Sequence, residues 1–183
     1  MMRRRRLGAA VLPAILALAV AGGSAALGDD GPDRTSDPAR AVTLAGRPIL
    51  APADLGRRSV LVASFHRAAN GSARAWRAAL EDDPRAAEWS PYTVIVLDGA
   101  PEMIRRFVVR AVRGEVPEDR HGSFLIVEEN SDAWRALVGS SGDGENRKDA
   151  VFVVRLENGS VCARVRGVVS AEALDELFSA ACS

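Results

Sequence analysis

Residues 59–77, SVLVASFHRAANGSARAWR, constrain the fold more than any other stretch. Val60, Leu61, Val62 and Phe65 make a short, uncharged, β-branched-rich run of strand length, as a buried strand requires. Asn70-Gly71-Ser72 then supplies turn residues and a helix N-cap, and Ala73, Trp76, Ala79 and Leu80 recur at helical spacing behind it. A buried strand that turns straight into a helix is the first half of a crossover unit. It calls for a parallel neighbour strand.

The chain that follows supplies the neighbours. Residues 92–97 (YTVIVL) read as a second strand. Pro101 opens a helix as an N1 residue, with Met103, Ile104, Phe107, Val108 and Val112 as its apolar face and Gly114 at its end. Residues 122–127 (GSFLIV) make a third strand. Ser131 caps a short helix that turns Trp134, Leu137 and Val138 inward, and 140–149 (SSGDGENRKD) is a polar loop. Strands at 151–156 and 161–165 flank Asn158-Gly159, a strong hairpin signal. Ser170 caps a last helix over 171–181, with Leu174, Leu177 and Phe178 on one face. Ahead of all this, 42–55 (VTLAGRPILAPADL) holds two short apolar runs around Gly46-Arg47-Pro48, a hairpin-like lead-in. The order predicts an α/β fold: a central mixed sheet flanked by helices, with a closing β-hairpin and a C-terminal helix.

Residues 65–74, FHRAANGSAR, resemble the F-W-x-x-W-C-G-P-C-R segment of thioredoxin-like proteins, with Gly71 and Arg74 matching. Asn70 and Ala73 stand where that family carries its two cysteines. The lead-in is similar to the one found before the first core strand of extracytoplasmic thioredoxin-like proteins and peroxiredoxins, with Gly46, Leu55 and Gly56 at matching places. The resemblance covers roughly Val42 to Ala181 and implies a thioredoxin-like domain with the extra strand and helix of the cytochrome-maturation type. The family also places a cis-proline before the hairpin strand, whereas 147–152 reads RKDAVF. A cis bond without proline costs ~3 kcal/mol, so a trans bond is expected there. A dithiol enzyme needs a nucleophilic thiolate at a helix start and a resolving cysteine one turn on. Neither Asn70 nor Ala73 can attack a disulfide or take up electrons.

Charge bears on compartment and partner. The 183 residues carry 24 basic and 24 acidic side chains, but Arg3–Arg6 hold four of the positives and the first 28 residues hold no acid. The rest of the chain is mildly acidic and has no basic stripe, which argues against nucleic acid. Arg3–Arg6 followed by the apolar run 7–21 has the form of a targeting segment, with small residues at 19–21 or 24–26 for cleavage. Residues 7–27 are also uncharged throughout, long enough for an uncleaved anchor. Residues 1–27 are therefore a signal peptide or an N-terminal anchor. Either way the domain is expected outside the cytoplasmic membrane, periplasmic or secreted, with membrane contact only through an uncleaved N-terminus. Residues 28–41, rich in Gly, Pro and Asp, read as a disordered linker, and 42–183 as the domain.

Cys162 and Cys182 are the chain's only cysteines. In an oxidising compartment two cysteines invite a bridge, and a last helix packed near the hairpin brings them close. Against it, Cys162 alternates with Arg164 and Arg166, which suggests the more exposed face of the strand. His66 reads as a polar residue at the strand end, and His121 as a loop residue. Two histidines without ligand spacing make no metal site, and Asp143, Glu145 and Asp149 lack the spacing of a calcium loop. No metal and no cofactor are called for. Trp76 and Trp134 fall on apolar helix faces, while Trp89 lies between polar residues.

These readings predict a redox-inactive thioredoxin-fold protein, not an enzyme of the dithiol class. Its vestigial site positions, Phe65, His66, Asn70, Gly71, Ser72, Ala73 and Asp149, would border a groove for a protein partner. Residues 92–139, with the Pro101 helix, the Arg105-Arg106 pair and the strand before Trp134, also resemble the cysteine-less thioredoxin-like family of the mitochondrial ATP synthase assembly factor and its bacterial relatives. That resemblance implies chaperone-like assembly of a membrane complex, with a membrane-complex subunit as partner. The competing expectations are a non-redox enzyme on the same scaffold, or a relocated thiol–disulfide couple at Cys162 and Cys182.

Overall fold

The computed structural model describes residues 38–140 and 150–182. The segment 1–27, residues 28–37 of the 28–41 linker and the loop residues 141–149, Asp149 among them, lie outside the described residues.

The lead-in is a hairpin of β1 (Ala39–Thr43) and β2 (Pro48–Ala51), in which Gly46 takes a φ of +89°. Only glycine adopts that value without strain. β1 takes in residues 39–41, which the composition assigned to the linker. β3 (Arg58–Ser64) is buried on both faces along its middle, which is why it reads as a continuous apolar run with no alternation. It feeds α1 (Asn70–Asp82), then β4 (Ser90–Val96), α2 (Glu102–Glu115) and β5 (Phe124–Val127). α3 (Ser131–Val138) leads across to the hairpin β6 (Val151–Glu157) and β7 (Ser160–Arg166), and α4 (Ala171–Ser179) closes the chain. At the hairpin turn Asn158 and Gly159 both have positive φ, 52° and 81°, as a tight two-residue connection needs.

The sheet has seven strands in the order β2-β1-β5-β4-β3-β6-β7. β3, β4 and β5 run parallel, and every other pairing is antiparallel. The β3-α1-β4-α2-β5 unit followed by a hairpin and helix is the thioredoxin-like arrangement with one strand added between β1 and β4. α3 covers one face, where Leu61, Ala63, Val94, Leu125, Trp134 and Val154 pack together. α1 and α4 cover the other, over Val60, Val62, Trp76, Val153 and Leu177. Each fully buried Leu or Val contributes about 1.5–3 kcal/mol. Trp76 and Trp134 are fully buried, and their indole N–H groups reach the carbonyls of Gly167 (2.8 Å) and Arg40 (2.7 Å). Without those acceptors a buried indole N–H would cost stability.

α2 departs from the sequence reading. Val108, Val109 and Val112 lean on a small cluster of Leu44, Leu97, Phe124 and Ile126, but no residue of α2 is fully buried. Met103 (77 % exposed), Phe107 (70 %) and Ile104 (46 %), expected on the inward face, turn to solvent. The helix carries two apolar stripes, and the valine stripe is the one the sheet takes. Val168 is likewise exposed, in the turn before α4.

α3 and α4 are capped differently. Ser170 Oγ accepts the Ala173 N–H at 3.1 Å, as expected. Ser131, by contrast, is the first residue of α3, and its own N–H is taken by Asp98 Oδ2 at 2.9 Å from the loop after β4. That hydrogen bond, then the one from the Ser131 side chain, holds the Asp98 carboxyl below its usual value. A depressed value means the cap stabilises fully above the unfolded carboxylate value, about 3.9, and fades as pH falls through the folded one. Asp98→Ala is expected to cost up to about 1 kcal/mol at neutral pH. Urea midpoints of the two proteins should converge below pH 4.

Candidate functional site

β3 ends at Ser64, and Phe65 and then His66, which is extended, carry the chain off the sheet. His66 is exposed, and its Nδ1 accepts the Ala68 N–H at 3.1 Å, capping a 3₁₀ turn over Arg67–Ala69 that runs directly into α1. The cap is therefore His66, one turn earlier than Asn70-Gly71-Ser72, which lie inside the helix as its first residues. A histidine after a strand gives no cap signal in sequence.

Asn70 and Gly71 are exposed, Ser72 is half-buried and Ala73 is buried. At the start of α1 the thiolate position of a dithiol enzyme would face solvent and the resolving position would lie beneath it. Asn70 and Ala73 give neither a nucleophile nor an electron carrier. Beside this junction Phe65 packs edge-on against Phe152, ring centres 5.7 Å apart. Arg135 Cζ stands 4.3 Å from the Phe65 ring and Arg166 Cζ 5.4 Å from that of Phe152. The junction wall is thus an aromatic pair clamped by two guanidinium groups, each contact adding about 0.5–1 kcal/mol. β6 begins beside it, Val151 pairing with Ser64. Among the described residues the one cis peptide is Ala51–Pro52, at the end of β2. Of the seven expected site residues, Phe65, His66, Asn70, Gly71, Ser72 and Ala73 lie together, and Asp149 is outside the described residues.

α2 descends from the same end of the sheet, because β4 runs parallel to β3 and hands the chain to α2 at its C-terminal end. Its exposed Met103 and Phe107 form a shallow groove with Arg106 and Arg110. Arg106 pairs with Glu102, while Arg105 and Arg113 reach back to the carbonyls of Glu128 and Leu44. The sequence signal for this surface was present, in two apolar stripes on one helix.

Cys162 and Cys182 are joined, with S–S 1.94 Å and Cα–Cα 4.4 Å. β7 bulges where Val161 pairs with Leu156 and Ala163 with Arg155, and Cys162 is the extra residue between those pairs. The bulge releases it from the alternation that argued against a bridge. The Glu157 carboxylate lies 3.3 Å from Cys182 Sγ, and with both sulfurs bonded to each other the three do not form a metal ligand set. Register places Cys162 level with Ser59 and Val60, at the opposite end of the sheet from Phe65. Five or six residues of strand separate the two, roughly 15 Å or more. The tail is also held by buried Arg155, which donates to the carbonyls of Phe178 and Ala180 and sits over the Trp89 ring. Burial lowers its pKa from the usual arginine value. His121 is buried as well, its Nε2 2.9 Å from the Val116 carbonyl, where the sequence suggested only a loop. Among the described residues no helix is long and apolar enough to cross a membrane.

No protein-family model and no curated protein matches the chain. Solved structures do. A candidate electron transfer protein from Aquifex aeolicus VF5 superposes with a TM-score of 0.51 at 14% identity, over 78% of this chain and 88% of that one. A thiol:disulfide interchange protein of the thioredoxin family from Chlorobium tepidum TLS gives 0.45 at 14% identity, over 80% of this chain and 97% of its own. The dsbF protein of MTB gives 0.44 at 22% identity, over 76% and 92%. At 14% identity the likeness to the Aquifex structure is one of fold, and the strand order with its β3-α1-β4-α2-β5 unit is what makes that fold thioredoxin-like.

Proposed function

We propose that this thioredoxin-like chain is a redox-inactive protein-binding module working outside the cytoplasmic membrane, in the assembly or chaperoning of a membrane complex. The observation that carries the reading is the intact strand–helix junction with Asn70 and Ala73 in place of thiols. A scaffold that keeps the geometry of a polypeptide-binding site and loses its electron carrier retains binding as its use. The exposed stripe of Met103, Ile104 and Phe107 supports it, since contiguous exposed apolar side chains mark interaction surfaces. The arginines around that stripe favour a partner segment that is apolar and acidic. The Arg3–Arg6 and 7–27 segment supports the compartment, and a membrane-complex subunit is the partner class that suits a domain delivered there.

The test is site-directed photocrosslinking of the full chain in native membranes, with p-benzoylphenylalanine replacing Phe107. A single adduct with a membrane-complex subunit is expected, and Met103→Glu and Asn70→Arg should each weaken it about tenfold or more. An absent adduct, or one indifferent to both substitutions, would overturn the reading.

A further inference from the structure

β4 is the middle strand of the sheet, yet on the face that carries α1 and α2 its first half is open. Pro91 is exposed and Thr93 only half-buried. There α1 faces the 3₁₀ segment Glu118–Ser123 that leads into β5, and the gap between them is a cleft of about 490 Å³ floored by Pro91, Thr93 and Phe124. That volume lies in the range of small-molecule sites. It sits at the opposite end of β4 from the strand–helix junction and owes nothing to the binding role proposed there.

Arg77 and Arg120 line the cleft, and Arg74 lies one turn before Arg77 on α1. Arg74 pairs with Glu115 at 3.2 Å, and Arg120 pairs with Glu81. Arg77, half-buried between them, has no carboxylate or carbonyl partner among the described residues, and its Cζ stands 4.7 Å from the Phe124 ring centre. Burial lowers its pKa, Glu81 opposes the shift, and the positive charges of Arg120 and Arg74 add to it. A guanidinium does not shed its proton in a protein, so an arriving anion is what relieves this position.

We infer that the cleft binds a small carboxylate with a flat apolar body, its carboxylate on Arg77 and its body over Pro91 toward Trp89. The planar fork of a guanidinium matches a carboxylate through two parallel hydrogen bonds, and exposed Pro91 with the half-exposed Trp89 ring gives the rest of the ligand an apolar surface. The Thr93 hydroxyl on the floor offers a further polar contact. Ser123 Oγ already donates to the Arg120 carbonyl at 2.8 Å and retains its acceptor capacity. Exposed Asp119 lines the same cleft, and with Glu81 taken by Arg120 the local balance suits a monoanion better than a phosphate dianion.

The test is a titration of the full chain with sodium benzoate, and with benzyl alcohol as the uncharged probe, followed by NMR at the Trp89 indole N–H and the Thr93 and Ser123 amides. Saturable benzoate shifts confined to these groups are expected, with benzyl alcohol about tenfold weaker or more. Arg77→Met should abolish the benzoate response, while Arg74→Met, outside the cleft lining and already paired with Glu115, should change it by less than about twofold. Arg77→Lys keeps the charge without the fork and should weaken binding several-fold, so it decides the matter if Arg77→Met does not fold. Shifts that fail to saturate, equal response to both probes, or an undiminished response in Arg77→Met or Arg77→Lys would overturn the inference.

Discussion

Cys162→Ser/Cys182→Ser is expected to lower the unfolding free energy by about 3 kcal/mol and to leave partner capture unchanged. The bridge closes a separation of 20 residues that contains all of α4, so in the unfolded chain it removes the freedom of that whole segment. In the folded chain it fastens the tail to a bulge on the outermost strand, β7. Arg155 holds the end of α4 independently, so the helix should stay docked after the bridge is lost, and the loss should appear as a shifted urea midpoint with the native near-UV spectrum kept. The same variant separates two functional readings. A structural bridge predicts lost stability and retained crosslinking at position 107. A relocated redox couple predicts the reverse, and the distance of Cys162 from the Phe65 junction counts against it.

Trp134→Ala is expected to cost about 4 kcal/mol. α3 has eight residues, too few to be helical unaided, and buries only Trp134 and Val138 fully. Its indole fills the face shared by Leu61, Leu125 and Val154, and its N–H satisfies the Arg40 carbonyl on β1. Truncation therefore opens a cavity, removes the donor to Arg40 and frees α3 from that face of the sheet. Trp134→Phe keeps most of the volume and should cost roughly 1 kcal/mol for the hydrogen bond plus a small packing loss. Trp89→Ala is the contrasting case. That ring is half-exposed between Arg58, Arg155 and Phe178, and its loss should cost less than half as much. Urea unfolding of the three variants gives the order.

Where the sequence was read correctly, one local signal had one structural solution. The run Val60-Leu61-Val62 could only be a strand buried on both faces, and Asn158-Gly159 could only be a tight hairpin turn. The failures share a different cause. Helical spacing shows that α2 has apolar stripes but not which stripe the sheet accepts, and it was the valines that fitted over Leu44 and Phe124. The caps of the 3₁₀ turn leading into α1 and of α3 come from His66 and Asp98, the one outside the usual capping residues and the other 33 positions away, so neither stands out beside its helix. The alternation of Cys162 with Arg164 and Arg166 was a sound period-2 reading undone by a bulge. The cleft at Arg77 depends on α1 and the 3₁₀ segment Glu118–Ser123 meeting across β4, a tertiary fact with no local trace. Of the candidate site, the junction residues were legible because they are consecutive, while on α2 the apolar residues were legible and the choice of which would stay exposed was not.

The central claim, a thioredoxin-like junction put to binding and not to redox work, is tested most directly by thiol–disulfide turnover. The assay would use a disulfide-bonded peptide substrate with dithiothreitol as reductant, comparing wild type with Asn70→Cys/Ala73→Cys. The account predicts background turnover for wild type and a clear gain in the variant, because the start of α1 already presents one exposed and one buried position to a thiol pair. Wild-type turnover above background, lost in Cys162→Ser, would contradict it.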